Sequence, residues 1–186
     1  MKSELSIGFV GFGEAGSSIA KGLKSAGISR IFAFDIAPDK VRYRATETAV
    51  PLVRSNRELA DSAGVIFSTV TCARAKEAAE QTAPYLRPDH IYADLNSVSP
   101  ALKQDIDRVI SAAGARFVEV AVMSPILPHM HGSPMLIGGK DGRAFAELMT
   151  PLGMRLQFIA ENKDSWKRVR VFDSLVVQSP ATTSKG

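Results

Sequence analysis

The segment Ile7–Asp35, IGFVGFGEAGSSIAKGLKSAGISRIFAFD, commits the chain to a strand, a glycine turn, a helix and a second strand in immediate succession. Leu5, Ile7, Phe9 and Val10 make the short apolar run of a strand buried on both faces. Gly11, Gly13 and Gly16 then interrupt it with the spacing GxGxxG. Ala15, Ile19 and Leu23 recur at helical spacing, with small Ala20 and Gly22 among them, and Gly27 stands where a left-handed cap ends a helix. Ile31, Phe32, Ala33 and Phe34 form the second run, closed by Asp35. This order predicts a parallel βαβ unit, because parallel neighbours need a crossover that a helix supplies.

Each part has a use where a pyrophosphate must be held. Gly11 permits the tight turn out of the strand, Gly13 lets backbone approach phosphate without a Cβ in the way, and Gly16 lets helix pack closely on strand. The helix start then offers free N–H groups and the positive end of its dipole to the anion. Asp35 lies nineteen residues past Gly16, near the roughly twenty expected of an acid that accepts from the adenosine ribose hydroxyls. Its charge would repel a 2′-phosphate, so NAD is expected over NADP. The glycine spacing alone also fits a plain glycine-rich turn; strand, helix and acid together select dinucleotide binding.

The rest of the chain continues the alternation. Lys40–Thr46 reads as helix, 50–53 as a short strand, and Ser55 with Glu58 as a capping box before a brief helix holding Leu59 and Ala63. Strand is expected from Val65 towards Thr71, helix over 73–82, strand over 91–95, and helix over 100–113 with Ser99 as N-cap, Pro100 at its first position and Gly114 beyond it. Phe117, Val118, Val120 and Val122 mark a strand, 135–137 another, Phe145, Leu148 and Met149 a helix face, and Leu156, Phe158 and Ile159 a last strand. The fold class expected is α/β: a Rossmann-like, doubly wound, mostly parallel sheet with helices on both faces, and ligands beyond the C-terminal strand ends. The loops of interest are therefore 11–16, 70–75, 94–99 and 122–133.

Length and composition narrow the class further. The 186 residues suffice for one sizeable domain without a staple. The single cysteine, Cys72, excludes an internal disulfide framework and reads as a small buried filler in a reducing compartment. No apolar leader or membrane-length run is read, so a cytoplasmic location and no membrane partner are expected. The net charge of +4 gathers towards the end, where five Lys/Arg from Lys163 onward face Asp164 and Asp173. That pattern reads as a solvated basic tail, not as an arm for nucleic acid. The boundaries expected are 1–160 for the dinucleotide-binding domain and 161–186 for the tail or the remnant of an interdomain helix.

GFVGFGEAG followed by Asp35, DLNSVSP at 94–100, GARFVEVAV at 114–122 and GSPMLIGG at 132–139 together resemble the N-terminal domain of the β-hydroxyacid dehydrogenases. That family includes 3-hydroxyisobutyrate and 6-phosphogluconate dehydrogenases, and the resemblance runs from about Leu5 to Ile159. It implies an NAD(P)-dependent oxidoreductase that exchanges hydride between nicotinamide and a hydroxyacid-like or related carbonyl substrate. It also implies cofactor contacts at Gly11, Phe12, Gly13, Glu14, Ala15 and Gly16, at Asp35, at Val70 and Thr71, and at Asn96 and Ser97 near the nicotinamide ribose. Asn96, Ser97 and Ser99 read equally as caps of the next helix.

Two departures from the family pattern stand out. Where the family has Ser-Gly-Gly in its substrate loop, this chain has Met123-Ser124-Pro125 and then ILPHMHG. A more apolar pocket is expected, with Met123, Ser124 and His129 as substrate contacts, as in a branch related to phosphogluconate dehydrogenase. His129 and His131 form an HxH pair, but no third ligand is evident and no metal is expected. The family also carries a catalytic lysine after a glycine-rich turn, and a helical domain that completes the pocket and a homodimer. Neither is recognisable here, and Lys163 and Lys167 are weak candidates in an unrelated context. A non-catalytic dinucleotide-binding or interaction module, a truncated dehydrogenase, is the alternative function.

Overall fold

The computed structural model describes residues 5–160; Lys163, Lys167 and the expected tail lie outside the described residues. Seven strands form one sheet: β1 (Ser6–Val10), β2 (Arg30–Phe34), β3 (Val65–Ser68), β4 (Ile91–Asp94), β5 (Arg116–Val122), β6 (Pro134–Gly138) and β7 (Arg155–Ala160). Their order is β2-β1-β3-β4-β5-β6-β7. The chain leaves β1 in one direction for β2 and returns on its other side for β3, which opens a crevice at their C-terminal ends.

The first five strands are parallel, β6 runs antiparallel to β5, and β7 is parallel to β6. The sheet is mostly parallel, as the alternation implied, with a reversed pair at one edge. The reversal follows from the β5–β6 connection, whose helix α6 (Ile126–His129) has only four residues, too little for the crossover that a parallel return requires.

Helices α1 (Glu14–Ser25), α2 (Pro38–Thr48) and α7 (Gly142–Met149) cover one face, meeting Phe9, Ile31, Phe67 and Val118 through Ile19, Leu23, Val41, Phe145 and Met149. A second core joins Ile66, Tyr92 and Phe117 to Leu59, Ala79, Ile106 and Ile110 of α3 (Asn56–Ser62), α4 (Ala75–Thr82) and α5 (Pro100–Ala112). Phe9 stacks on Phe67 at 5.3 Å between ring centres, and Phe67 meets Phe145 edge-on at 5.9 Å. Burial of two faces explains why these strands read as continuous apolar runs.

Local signals resolve individually. Gly27 and Gly114 adopt φ +97° and +85° past their helices, and the Ser99 hydroxyl accepts from the Leu102 N–H at 3.3 Å. Ser55 likewise caps α3 through the Glu58 N–H, but the Glu58 carboxylate reaches the N–H of Arg54 at 2.9 Å, one residue earlier than a capping box requires. The strand expected over 50–53 reduces to one bridge between Leu52 and Ala33. Pro51 has no N–H to donate and offers only its carbonyl, which accepts from Ala33 at 3.0 Å.

Cross-strand pairing places Phe34, Val10, Ser68, Asp94, Glu119, Gly138 and Ala160 in one row across the sheet. For β1 to β4 this row is the C-terminal edge. β5 continues past it to Val122, beside the opening residues of β6 and β7.

Candidate cofactor site

The turn from β1 into α1 is held open by contacts specific to each glycine. Gly11 takes φ +82°, where a Cβ would also fall 2.7 Å from Val70 Cγ1 and 2.9 Å from the Thr69 carbonyl oxygen. At Gly16 a Cβ would lie 2.6 Å from Thr69 Oγ1 and 2.8 Å from the Gly11 carbonyl oxygen. The Thr69 hydroxyl fills that gap and donates to the Gly11 carbonyl at 2.6 Å. Gly13 differs: a Cβ there would meet nothing within 4 Å. It caps α1 without any side-chain hydrogen bond, and the first intrahelical bond is from Ser17 N–H to Gly13 carbonyl. The first turn of α1 thus has no side-chain cap, and the positive end of the helix dipole lies beside the open space over Gly13.

Asp35 closes the other side of the crevice. Its Oδ2 accepts from the Phe12 N–H at 2.8 Å and its Oδ1 from the Ala37 N–H at 2.9 Å. Two backbone donors thus fix the carboxylate, and each oxygen keeps a lone pair for a further donor such as a ribose hydroxyl. Gly11, Gly13, Asp35, Ile36, Val70 and Thr71 line a single cavity of about 190 Å³, with Arg74 and Gln81 on its α4 side. Phe12 contributes only backbone, because its ring is fully buried against Phe9 at 5.9 Å. Glu14 is exposed on the first turn of α1, Ala15 is half-buried and Gly16 is buried.

The loop after β4 is anchored differently. Asn96 is buried, and its amide donates to Ser68 Oγ at 2.9 Å and to Asp94 Oδ1. Ser97 is exposed, and its carbonyl accepts from the Cys72 thiol at 3.1 Å. Cys72 is consequently an exposed residue of the β3–α4 loop and not a buried filler; the polar carbonyl beside it replaces the apolar packing expected.

Beneath this loop lies a polar group that inspection of the sequence missed. Ser68, Asp94 and Glu119 are neighbours in the cross-strand row, and Lys103 reaches Asp94 at its centre from α5. All four are at least nine-tenths buried. Lys103 Nζ donates to the Asp94 carbonyl at 2.8 Å and lies 2.7 Å from Asp94 Oδ2, an ionic contact without good hydrogen-bond angles. Burial pushes the Glu119 carboxyl up to about 8, with Lys103 opposing and Asp94 and Asp107 reinforcing the shift. Its Oε2 has no hydrogen-bond partner. Two carboxyls beside one ammonium are accommodated by keeping the second protonated. The signals were present: Lys103 occupies the stripe of Ile106 and Ile110, and Glu119 interrupts FVEVAV.

The substrate-side residues do not converge with the cavity. Met123 and Ser124 are half-buried after β5, and His129 is exposed at the end of α6. The segment 122–133, expected as a loop, contains α6 and a 3₁₀ turn over Met130–Gly132. His131 does not pair with His129. A Cβ on Gly22 would fall 2.1 Å from its Nδ1, and its Nε2 lies 3.0 Å from the Leu152 carbonyl, so the ring wedges α1 against the 150–153 turn. His90 is buried and accepts through Nδ1 from the Arg87 N–H at 2.9 Å. Among the described residues no three His, Cys, Asp or Glu side chains group as a metal site, and no helix is long and apolar enough to cross a membrane.

Comparison with known proteins gives this geometry a context. Mitochondrial 3-hydroxyisobutyrate dehydrogenase of Drosophila melanogaster is 31% identical over 118 residues, covering 62% of this chain and 36% of the relative. A conserved hypothetical protein of Sinorhizobium meliloti 1021 superposes with a TM-score of 0.85 at 32% identity, over 93% of this chain and 60% of that one. An imine reductase variant of Myxococcus stipitatus in complex with NAD+ shares the fold, with a TM-score of 0.78 at 16% identity, over 94% of this chain and 60% of that one. The chain thus spans less than two thirds of the length of these relatives. The model of the NAD binding domain of 6-phosphogluconate dehydrogenase matches residues 6–155, and the chain belongs to that family.

Proposed function

We propose that this chain is the cofactor-holding part of an NAD(P)-dependent dehydrogenase or reductase that prefers NAD and acts on a small hydroxyacid-like or related carbonyl substrate. One observation carries the reading: the uncapped start of α1, the open space over Gly13 and the backbone-clamped Asp35 border the same cavity. The residues present fit a dinucleotide. Gly13 and the α1 N–H groups would take the pyrophosphate, Asp35 the adenosine ribose, Val70 and Thr71 the cavity floor, and Asn96 with Ser97 the nicotinamide ribose. Bound there, the nicotinamide would supply hydride chemistry, and this chain's part is to bind, orient and shield it.

The preference for NAD rests on charge. Asp35 holds its carboxylate at the cavity wall, where a 2′-phosphate would meet like charge. Imine reductases of Myxococcus stipitatus hold NAD+ in one structure and NADP+ in another, which supports dinucleotide binding without favouring either, and the mitochondrial 3-hydroxyisobutyrate dehydrogenase supports the substrate class. Met123, Ser124 and His129 stand on the substrate side of this reading. Isothermal calorimetry with NADH and NADPH tests it. Tighter NADH binding is the expected result, and tighter NADPH binding, or none of either, overturns it.

A further inference from the structure

We infer that Lys103 is a positioning residue for the nicotinamide half of the cofactor: its buried ammonium ties the start of α5 to the end of β4 and so sets the 95–99 turn that carries Asn96 and Ser97. The inference rests on the cofactor reading above and adds a residue to it. Lys103 lies in the first turn of α5, one residue after the N–H that Ser99 caps. From there Nζ reaches both the carbonyl and the carboxylate of Asp94, the last residue of β4. The turn 95–99 is the short span between these two anchored points.

The tie passes directly into the turn. Asp94 Oδ2 faces Lys103 while Asp94 Oδ1 accepts from the backbone N–H of Asn96 at 3.3 Å and from its side-chain amide. The same amide donates to Ser68 Oγ at the end of β3. Lys103, Asp94, Asn96 and Ser68 therefore form one chain of contacts from α5 to β3, and the loops of β3 and β4 meet again where the Cys72 thiol donates to Ser97. A buried ammonium costs several kcal/mol of lost hydration unless such partners surround it, so a lysine kept here in place of an apolar residue has no advantage for packing. Its distinguishing property is a fixed separation between β4 and α5. The adenosine side depends on these contacts far less: Asp35, Gly13 and Ile36 are set by β1, β2 and the α1 start, and only the cavity floor at Val70 and Thr71 follows the strand that the contacts reach.

That asymmetry gives the test. Lys103→Met keeps the length and apolar stem of the side chain but cuts the tie; Asp94→Asn keeps its shape and removes the charge that Lys103 faces. Each is compared with the unaltered protein for binding of NADH, followed by nicotinamide fluorescence, and of ADP, followed by calorimetry, with circular dichroism to verify the fold. ADP carries the adenosine and pyrophosphate without the nicotinamide. Expected for both variants is NADH affinity reduced by about tenfold or more as the 95–99 turn loses its set position, with ADP affinity reduced much less. A folded variant that keeps its NADH affinity, or loses NADH and ADP to the same degree, overturns the inference. Failure of the unaltered protein to bind either probe overturns the cofactor reading itself.

Discussion

Gly13 and Gly16 belong to one glycine turn, yet replacing them should damage different properties. Gly13 has φ −71° and ψ −159°, an extended conformation open to any L-residue, and a Cβ there touches nothing. Gly13→Val should therefore fold, and the shorter Gly13→Ala should leave stability within about 1 kcal/mol, because the gain from a stiffer unfolded chain offsets the loss of a glycine favoured at an N-cap. The branched side chain, however, fills the space through which backbone would reach pyrophosphate. Two lost charge-assisted hydrogen bonds at about 1.5–3 kcal/mol each weaken dinucleotide binding by about 10² to 10⁴. Gly16→Ala reverses the outcome, because its Cβ would lie 2.8 Å from the Gly11 carbonyl oxygen and 2.6 Å from Thr69 Oγ1. Displacing that backbone costs about 1–3 kcal/mol, or roughly 2–4 °C in Tm for each kcal/mol at this size. Thermal unfolding by circular dichroism and calorimetric titration with NADH, run on the same preparations, separate the two. Unchanged affinity in folded Gly13→Val would refute the assignment of the anion site.

Three further outcomes follow from the same geometry. Asp35→Ala should bring NADH and NADPH affinities together, and should also cost about 1–3 kcal/mol by stranding the Phe12 and Ala37 N–H groups; calorimetry and urea unfolding read the two effects. The folded protein keeps the Glu119 proton up to about pH 8, whereas the unfolded chain releases it near the usual carboxylate range. Stability should thus fall by up to about 1.4 kcal/mol per pH unit between those limits and level off above them, and urea unfolding of Glu119→Gln should show the slope reduced. Ala49 closes α2 at φ 50° and ψ 43°, a left-handed conformation that strains a Cβ. Ala49→Gly should raise stability by about 1 kcal/mol without altering NADH binding, and a lower Tm would contradict that account.

What the sequence showed and concealed divides along physical lines. The first βαβ unit was legible because its glycines, apolar runs and closing acid each answer a local requirement. Ser99, Pro100 and Gly114 bounded α5 for the same reason. Signals that depend on remote partners were not legible. His131 read only as one of an HxH pair without a metal until α1 supplied Gly22 as its seat, and Cys72 read as a buried filler until Ser97 came within hydrogen-bonding distance. Glu119 and Lys103 are ordinary surface residues in composition; only the pairing of β4 with β5, and α5 laid over both, turns them into a buried pair. The reversal of β6 was likewise concealed, since alternation implied parallel returns throughout and the span 122–133 read as a loop whose short helix α6 was not visible.

The cross-strand row gives the sheet the character of a ruler with an end stop. From Phe34 on β2 to Glu119 on β5 it crosses four inter-strand steps, a span of about 19 Å at ~4.8 Å per step. In the proposed cofactor reading, a dinucleotide laid along that edge would start at Asp35, pass the α1 start and reach the 95–99 turn. It would then come to the three residues by which β5 overshoots the row, Val120, Ala121 and Val122, a rise of about 10 Å. β6 and β7 back that rise through Met135, Leu136, Leu156 and Phe158. In that reading, the far end of such a ligand would meet this rise beside Val122 and Met123. The flat stretch of the edge is thus set by strand count, and the reversed pair that breaks the parallel pattern stands at its end.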